Sequence, residues 1–205
     1  MVLLIILSSC SIIDKVTKKE ASLEHGFELV VVNKDNYVSK KLIPDDLITL
    51  KNGIQVDSRI IKPLQNMIDD MRAQGLDPTV TSGFRTNEIQ KKYYEDGVKA
   101  RIQKGMSEEE AKVSAAESIA KPGTSEHEIG LAVDINSLSD DNTHVYKWLE
   151  NNSYKYGFIL RYHSMKTNIT GVIYEPWHYR YVGKEHSEKI FQSGLCLEEY
   201  VEKLK

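Results

Sequence analysis

The chain has 205 residues, of which 40% are hydrophobic and 28% charged, and its net charge is -3. That length and balance suit a globular domain with a substantial core and exclude a nucleic-acid footprint, which needs a concentrated basic face. With only two cysteines, Cys10 and Cys196, a disulfide framework is excluded as well.

The first segment, Met1-Val2-Leu3-Leu4-Ile5-Ile6-Leu7-Ser8-Ser9, is an apolar run too short to cross a bilayer and it ends in small residues, so residues 1–9 read as a secretory h-region. Leu7-Ser8-Ser9-Cys10 resembles the bacterial lipobox, which makes Cys10 the expected lipid anchor, although no Lys or Arg precedes Leu3. Residues 11–23 are polar and Lys-rich without apolar periodicity, as a tether would be. The expected organisation is a signal segment over 1–9, a lipid-anchor cysteine and tether over 10–25, and one catalytic domain over 26–205. A monomer held at the outer face of a bacterial membrane is expected, in contact with the cell envelope.

Phe27-Glu28-Leu29-Val30-Val31-Val32 is β-branched and precedes the turn-prone Asn33-Lys34-Asp35-Asn36, which predicts a first strand. Val56, Ile60, Ile61, Leu64, Met67, Ile68 and Met71 recur at helical spacing, with Gly75 as a stop. Pro78-Thr79-Val80-Thr81-Ser82 predicts a strand ending at Gly83, and Thr86 caps a helix expected to reach Gly97. Ser107-Glu108-Glu109-Glu110 forms a capping box opening a helix through Ala115 and Ile119. Leu131-Ala132-Val133-Asp134-Ile135 predicts a buried strand with Asp134 on the face opposite Val133 and Ile135. A helix around Tyr146, Trp148 and Leu149 follows, then strands over Phe158 to Tyr162 and Val172 to Glu175. Short links between late strands predict an α+β fold, a small antiparallel sheet flanked by helices.

Two stretches carry the chemistry: Ser125-Glu126-His127-Glu128-Ile129-Gly130-Leu131-Ala132-Val133-Asp134 and Glu175-Pro176-Trp177-His178-Tyr179-Arg180-Tyr181. Two imidazoles and one carboxylate are a ligand set for catalytic zinc, because three protein ligands leave the fourth tetrahedral position for water. His127, Asp134 and His178 are the expected ligands. Glu175 is the expected general base, since a partly buried carboxylate beside an aromatic ring has a pKa moved toward neutrality. His25, His144, His163 and His186 sit in no such pattern and are read as ordinary histidines. Cys196 is read as a small buried apolar residue.

The pattern Ser125-x-His127-x-x-Gly130-x-Ala132-x-Asp134, with Glu175-x-Trp177-His178-x-Arg180-Tyr181 and the upstream Ser82-Gly83-Phe84-Arg85-Thr86, resembles the VanY-type D-alanyl-D-alanine carboxypeptidases. The resemblance runs from about residue 47 to 183 and keeps three blocks in the family's order. It implies a fold like that of the D-Ala-D-Ala peptidases and Hedgehog domains, and a Zn2+ enzyme that trims the terminal D-alanine from peptidoglycan stem peptides. It further implies that Arg85 meets the developing oxyanion or a peptide carboxylate, that Gln90 and Ser125 hold the substrate's terminal end, and that Trp177 forms a pocket wall. Phe84 stands where the family commonly has Tyr, and His163 where it often has Pro. Cleavage of the preceding L,D bond in tetrapeptides, or a wall-binding module without turnover, are the alternatives; the presence of Glu175 speaks against the second.

Overall fold

The computed structural model describes residues 19–139 and 141–205. The expected signal segment, Cys10 and tether residues 11–18 lie outside the described residues. Among the described residues no helix is long and apolar enough to cross a membrane.

The chain begins with β1 (Lys19–Glu20), paired in parallel with β2 (Asn36–Tyr37). A hairpin of β3 (Leu47–Thr49) and β4 (Gln55–Asp57) leads into α1 (Ile61–Ala73). Then come β5 (Pro78–Ser82), α2 (Asn87–Gln103), α3 (Glu108–Ala116) and β6 (Ala132–Ser137). After α4 (Thr143–Asn152) the chain forms β7 (Phe158–Leu160), α5 (Thr167–Thr170), β8 (His178–Tyr181), α6 (Lys184–Ser193) and α7 (Leu197–Glu202). Strands β5, β6, β8 and β7 make one sheet in that order, every neighbour antiparallel. The fold class is the α+β arrangement expected.

Helix α1 buries Leu64, Met67, Ile68 and Met71, which share one face because 3.6 residues complete a turn. That stripe packs in one core with Val80, Val133, Ile135, Phe158 and Tyr179 of the sheet and Leu149 of α4. Pro63 falls in the first turn, where its missing N–H is not needed. Two smaller apolar clusters flank the sheet: Ile159, Val182, Ile190, Leu197 and Tyr200 under α6 and α7, and Val98, Ala111 and Ala115 between α2 and α3.

Four expectations need correction. Residues 27–32 are not a strand but a 3-10 turn (Phe27–Leu29) followed by irregular chain. Val30 and Val32 are buried there, and the carbonyls of Glu28 and Val30 accept from the Arg180 guanidinium instead of a neighbouring strand. Residues 172–175 are irregular too, with Glu175 N–H bonded to the Tyr162 carbonyl. Helix α2 runs past Gly97 to Gln103, because that glycine faces Ile119, whose Cδ1 would stand 2.4 Å from an added Cβ. Lys19 to Ala21, placed by sequence in the tether, pack on the domain: β1 pairs with β2 and Ala21 is buried.

Leu64 is 2% exposed at the centre of the main core. Leu64→Ala is expected to destabilise the domain by about 2–5 kcal/mol, through lost transfer energy and a residual cavity. Urea unfolding followed by circular dichroism measures it; an unchanged midpoint at equal slope contradicts the α1 packing described above.

Candidate metal centre

Strand register builds the site. In the β6–β8 ladder Asp134 stands directly opposite His178, and Val133 opposite Tyr179. Since side chains alternate across a strand, Val133, Ile135 and Tyr179 enter the core while Asp134, His178 and Arg180 share the other face. His127 joins them from the loop preceding β6.

Each residue of that loop has a local task. Ser125 Oγ accepts from the His127 N–H at 3.3 Å, and Glu128 Oε1 accepts from the N–H groups of Ser125 (3.4 Å) and Gly123 (2.8 Å), a capping box on the 3-10 turn Glu126–Ile129. Asn87 Nδ2 donates to the other Glu128 oxygen at 2.7 Å. Gly130 ends the turn at φ +70°, the left-handed conformation that favours glycine, and turns the chain into β6.

Three donor atoms converge. Asp134 Oδ1 lies 3.4 Å from His127 Nε2 and 3.3 Å from His178 Nδ1, and all three atoms fall within 4.8 Å of one another. The imidazoles meet edge to face, with centroids 4.9 Å apart. Ligand atoms about 2.1 Å from a tetrahedral ion stand roughly 3.4 Å from each other. Asp134 Oδ1 is buried and has no hydrogen-bond partner, an arrangement that is costly unless a cation lies beside it. The residues therefore fit a small N,N,O-ligated ion.

The far atom of each of two ligands is fixed from outside. His127 Nδ1 stands 2.7 Å from the Gly83 carbonyl, which can only accept, so the ring proton is assigned there and Nε2 keeps its lone pair. Arg85 Nη2 donates to Asp134 Oδ2 at 2.9 Å, while its Nε donates to Ser82 Oγ and its Nη1 to Gln90 Oε1. Burial lowers the pKa of His127 and keeps it in the neutral, ligating form. Burial opposes ionisation of Asp134, but both imidazoles outweigh it and hold the carboxyl below its usual range. For His178, burial acts downward and is outweighed by Asp134 and Glu126, which push the ring up to about 9. A bound cation would take the place of that proton.

Glu175 sits beside this trio with Oε2 3.6 Å from His178 Nδ1. Burial first, then the Asp134 charge, raises its pKa to about 7, against the opposing pull of His178 and Arg85. A cleft of about 350 Å³ connects the four groups to solvent, and Arg85, Gln90, Ser125 and Trp177 all line it. Gln90 is buried, with Nε2 donating to the Ala120 carbonyl at 2.7 Å. The Trp177 carbonyl accepts from the Ile135 N–H at 2.9 Å, extending the β6–β8 ladder to the cleft. Arg85 lies over the Tyr93 ring and keeps two of its five N–H donors beyond the three bonds above. Cys196 is buried outside the cleft, and burial raises its thiol to about 11. Sequence reasoning passed over Glu126 and Arg161, fully buried neighbours of the site; the charge of Arg161 between Leu160 and Tyr162 was an available signal, whereas Glu126, between Ser125 and His127, carried none.

An added Cβ at Gly83 would stand 2.2 Å from the Gln55 carbonyl oxygen and 2.8 Å from Ile54 Cγ2. Gly83→Ala must therefore shift the backbone whose carbonyl orients His127. We expect a stability loss of about 1–3 kcal/mol together with weaker zinc binding. Denaturant melts and zinc titration read the two effects, and wild-type values in both would remove Gly83 from the site's support.

Comparison with known proteins agrees with the geometry. A family model described as VanY, D-alanyl-D-alanine carboxypeptidase, matches residues 53–184. A D-alanyl-D-alanine carboxypeptidase of Enterococcus faecalis is 46% identical over 187 residues, 90% of this chain and 69% of that protein. Among solved structures, VanYB in complex with D-alanine-D-alanine superposes with a TM-score of 0.84 at 46% identity, covering 87% of this chain and 99% of that one. A mutant of the vancomycin-resistance D,D-pentapeptidase VanY in complex with Zn(II) gives 0.82 at 46% identity, covering 85% and 99%. The three spaced blocks, their convergence on one cleft and these matches place the chain in the VanY family of D-alanyl-D-alanine carboxypeptidases.

Proposed function

We propose that the protein is a zinc-dependent D,D-carboxypeptidase that removes the terminal D-alanine from peptidoglycan stem peptides. The observation that carries this reading is the convergence of His127 Nε2, Asp134 Oδ1 and His178 Nδ1 with Glu175 at their side.

When bound, zinc lowers the pKa of a coordinated water from 15.7 to about 7 and acts as a Lewis acid toward a carbonyl oxygen. Two neutral imidazoles and one carboxylate preserve net positive charge on a dication, as that task requires. Glu175 accepts the proton of the attacking water at its carboxylate and returns it to the departing amine of D-alanine. Its pKa near 7 matches both halves of that transfer near neutral pH. Arg85 presents its two remaining donors at the cleft wall, where a fixed guanidinium fork suits the substrate's terminal carboxylate better than a point charge does. Gln90 holds the arginine from behind and Ser125 lines the same wall. Trp177 shapes the cleft by the β8 end.

The lipobox-like Cys10 and the tether pattern support a lipid-anchored enzyme at the outer face of the bacterial membrane, within reach of the wall. We propose action as a monomer, because the three ligand residues and Glu175 are complete within a single copy of the chain.

Purified protein is expected to release one D-alanine from a pentapeptide stem, to lose that activity to a chelator and to regain it with zinc. Mass spectrometry of the products decides: release from tetrapeptide stems alone identifies the L,D reading, and release from neither leaves only a binding role. Glu175→Ala should keep zinc while losing about 10²–10⁴ in kcat; full turnover in that variant eliminates Glu175 as the base. For the anchor, Cys10→Ser should move the protein from the membrane pellet to the soluble fraction, and an unchanged pellet rejects lipidation at Cys10.

A further inference from the structure

The His178 ring has two nitrogens, and only one faces the cleft. Nδ1 stands 3.3 Å from Asp134 Oδ1, while Nε2 is turned into the protein, buried and without a hydrogen-bond partner. It lies 3.7 Å from Glu126 Oε2, which is equally buried and equally without a partner. The other Glu126 oxygen is taken: Oε1 accepts from Arg161 Nε at 2.8 Å and from Arg180 Nη1 at 2.7 Å.

We infer that Glu126 is a positioning residue of the metal centre, whose Oε2 accepts the Nε2 proton of His178 and thereby leaves Nδ1 as the ligand atom. The inference rests on the metal reading above and adds to it the group that selects the ring's tautomer.

Four observations support it. Glu126 is 1% exposed, so no solvent competes for Oε2. Two guanidinium groups on Oε1 fix the plane of the carboxylate and keep it anionic, and an ionised carboxylate is the stronger acceptor. Arg161 is itself held by Glu198 of α7, which accepts from Nη1 at 2.9 Å and from Nη2 at 2.7 Å. Lastly, Glu126 and His127 are adjacent on one capped turn, so the loop that delivers one ligand also carries the anchor of another. A gap of 3.7 Å exceeds a formed hydrogen bond, and a movement of about 0.8 Å brings the pair to the usual 2.9 Å. Metal ligation at Nδ1 makes the Nε2 proton more acidic and favours that closure. Imidazole ligands ordinarily present their second N–H to such a carboxylate.

The competing role is purely structural, in which Glu126 only balances two buried arginines. Nitrogen-15 imidazole NMR of the full-length, zinc-loaded wild type separates the two. We expect His178 to carry a slowly exchanging proton on Nε2, with Nδ1 metal-bound; a proton on Nδ1, or a rapidly exchanging Nε2 proton, overturns the inference without any variant. In parallel, Glu126→Gln and Glu126→Asp are compared with wild type by zinc competition against a chromophoric chelator and by thermal melting. Glu126→Asp keeps the charge beside the arginines but withdraws it from His178. A zinc Kd raised about 10–100-fold in a folded variant is the expected result. Lower melting temperatures with Kd within twofold of wild type leave only the structural role. Wild-type protein that takes up no zinc overturns the metal reading itself, whereas zinc binding with the wrong tautomer overturns only this inference.

Discussion

The site depends on the register between β6 and β8. Asp134 faces His178 only because Val133 faces Tyr179, and that pair is locked into the core beneath α1. A slip of one residue would turn Asp134 into the apolar layer and expose Val133 and Ile135, which one buried face strongly forbids. Hydrophobic burial on one side of the sheet thus sets the position of the ligands on the other. The bulge between Val80 and Ser82 on β5 then lets the chain leave the sheet so that the Gly83 carbonyl meets His127 and the Arg85 side chain meets Asp134.

The opposite face of the sheet is unusual in its burial of charge. Glu126, Arg161 and Arg180 are all within 1% of full burial, and Glu198 closes the group, giving two anions for two cations. Isolated, each of these ions would cost several kcal/mol to desolvate, and mutual pairing offsets much of that cost. Asp134 is matched by Arg85 in the same way. Among the described residues no Lys or Arg makes an ion pair with Glu175, whose only such neighbour is the His178 ring. Burial raises the Glu175 pKa, whereas against the same burial Arg161 and Arg180 hold Glu126 low and the His127 and His178 rings hold Asp134 low. Three acidic groups share one small region, and their surroundings assign them different protonation.

Much of this was legible in the sequence where the physics is local. The caps at Thr86 and Ser107, the apolar stripe of α1 and the period-two pattern around Asp134 each express a rule that acts over a few residues. What the sequence concealed was set at a distance. Residues 27–32 have the composition of a strand, yet their carbonyls are satisfied by Arg180, about 150 positions away. The partners of Glu126 lie 35 and 54 residues downstream, so nothing in its neighbourhood distinguishes it from a solvated glutamate. Gly97 reads as a helix stop until the α3 end is seen to press on it through Ile119. Arg85 was marked by its motif as a group at the site, but its bond to Asp134 spans 49 residues and only the fold reveals it.

These supports bear on how the ion and the fold are related. In small zinc domains the ligands gather only when metal arrives, and binding energy is folding energy. Here the main core spans the sheet, α1 and α4 on the face of the sheet away from the ligands, so its apolar burial does not depend on a cation, which bears instead on the unpartnered Asp134 Oδ1. Two of the ligands already have their outward atoms fixed, by the Gly83 carbonyl and by Arg85, and the ring of the third is held between two strands and Tyr162. Little conformational entropy is left to lose when an ion enters, so its affinity can act on the charge of the bound groups rather than on ordering the chain. The same fixed trio stands beside Glu175, whose Oε2 lies 3.6 Å from His178 Nδ1, and a constant separation of this kind is what the proposed proton transfer by a single carboxylate requires.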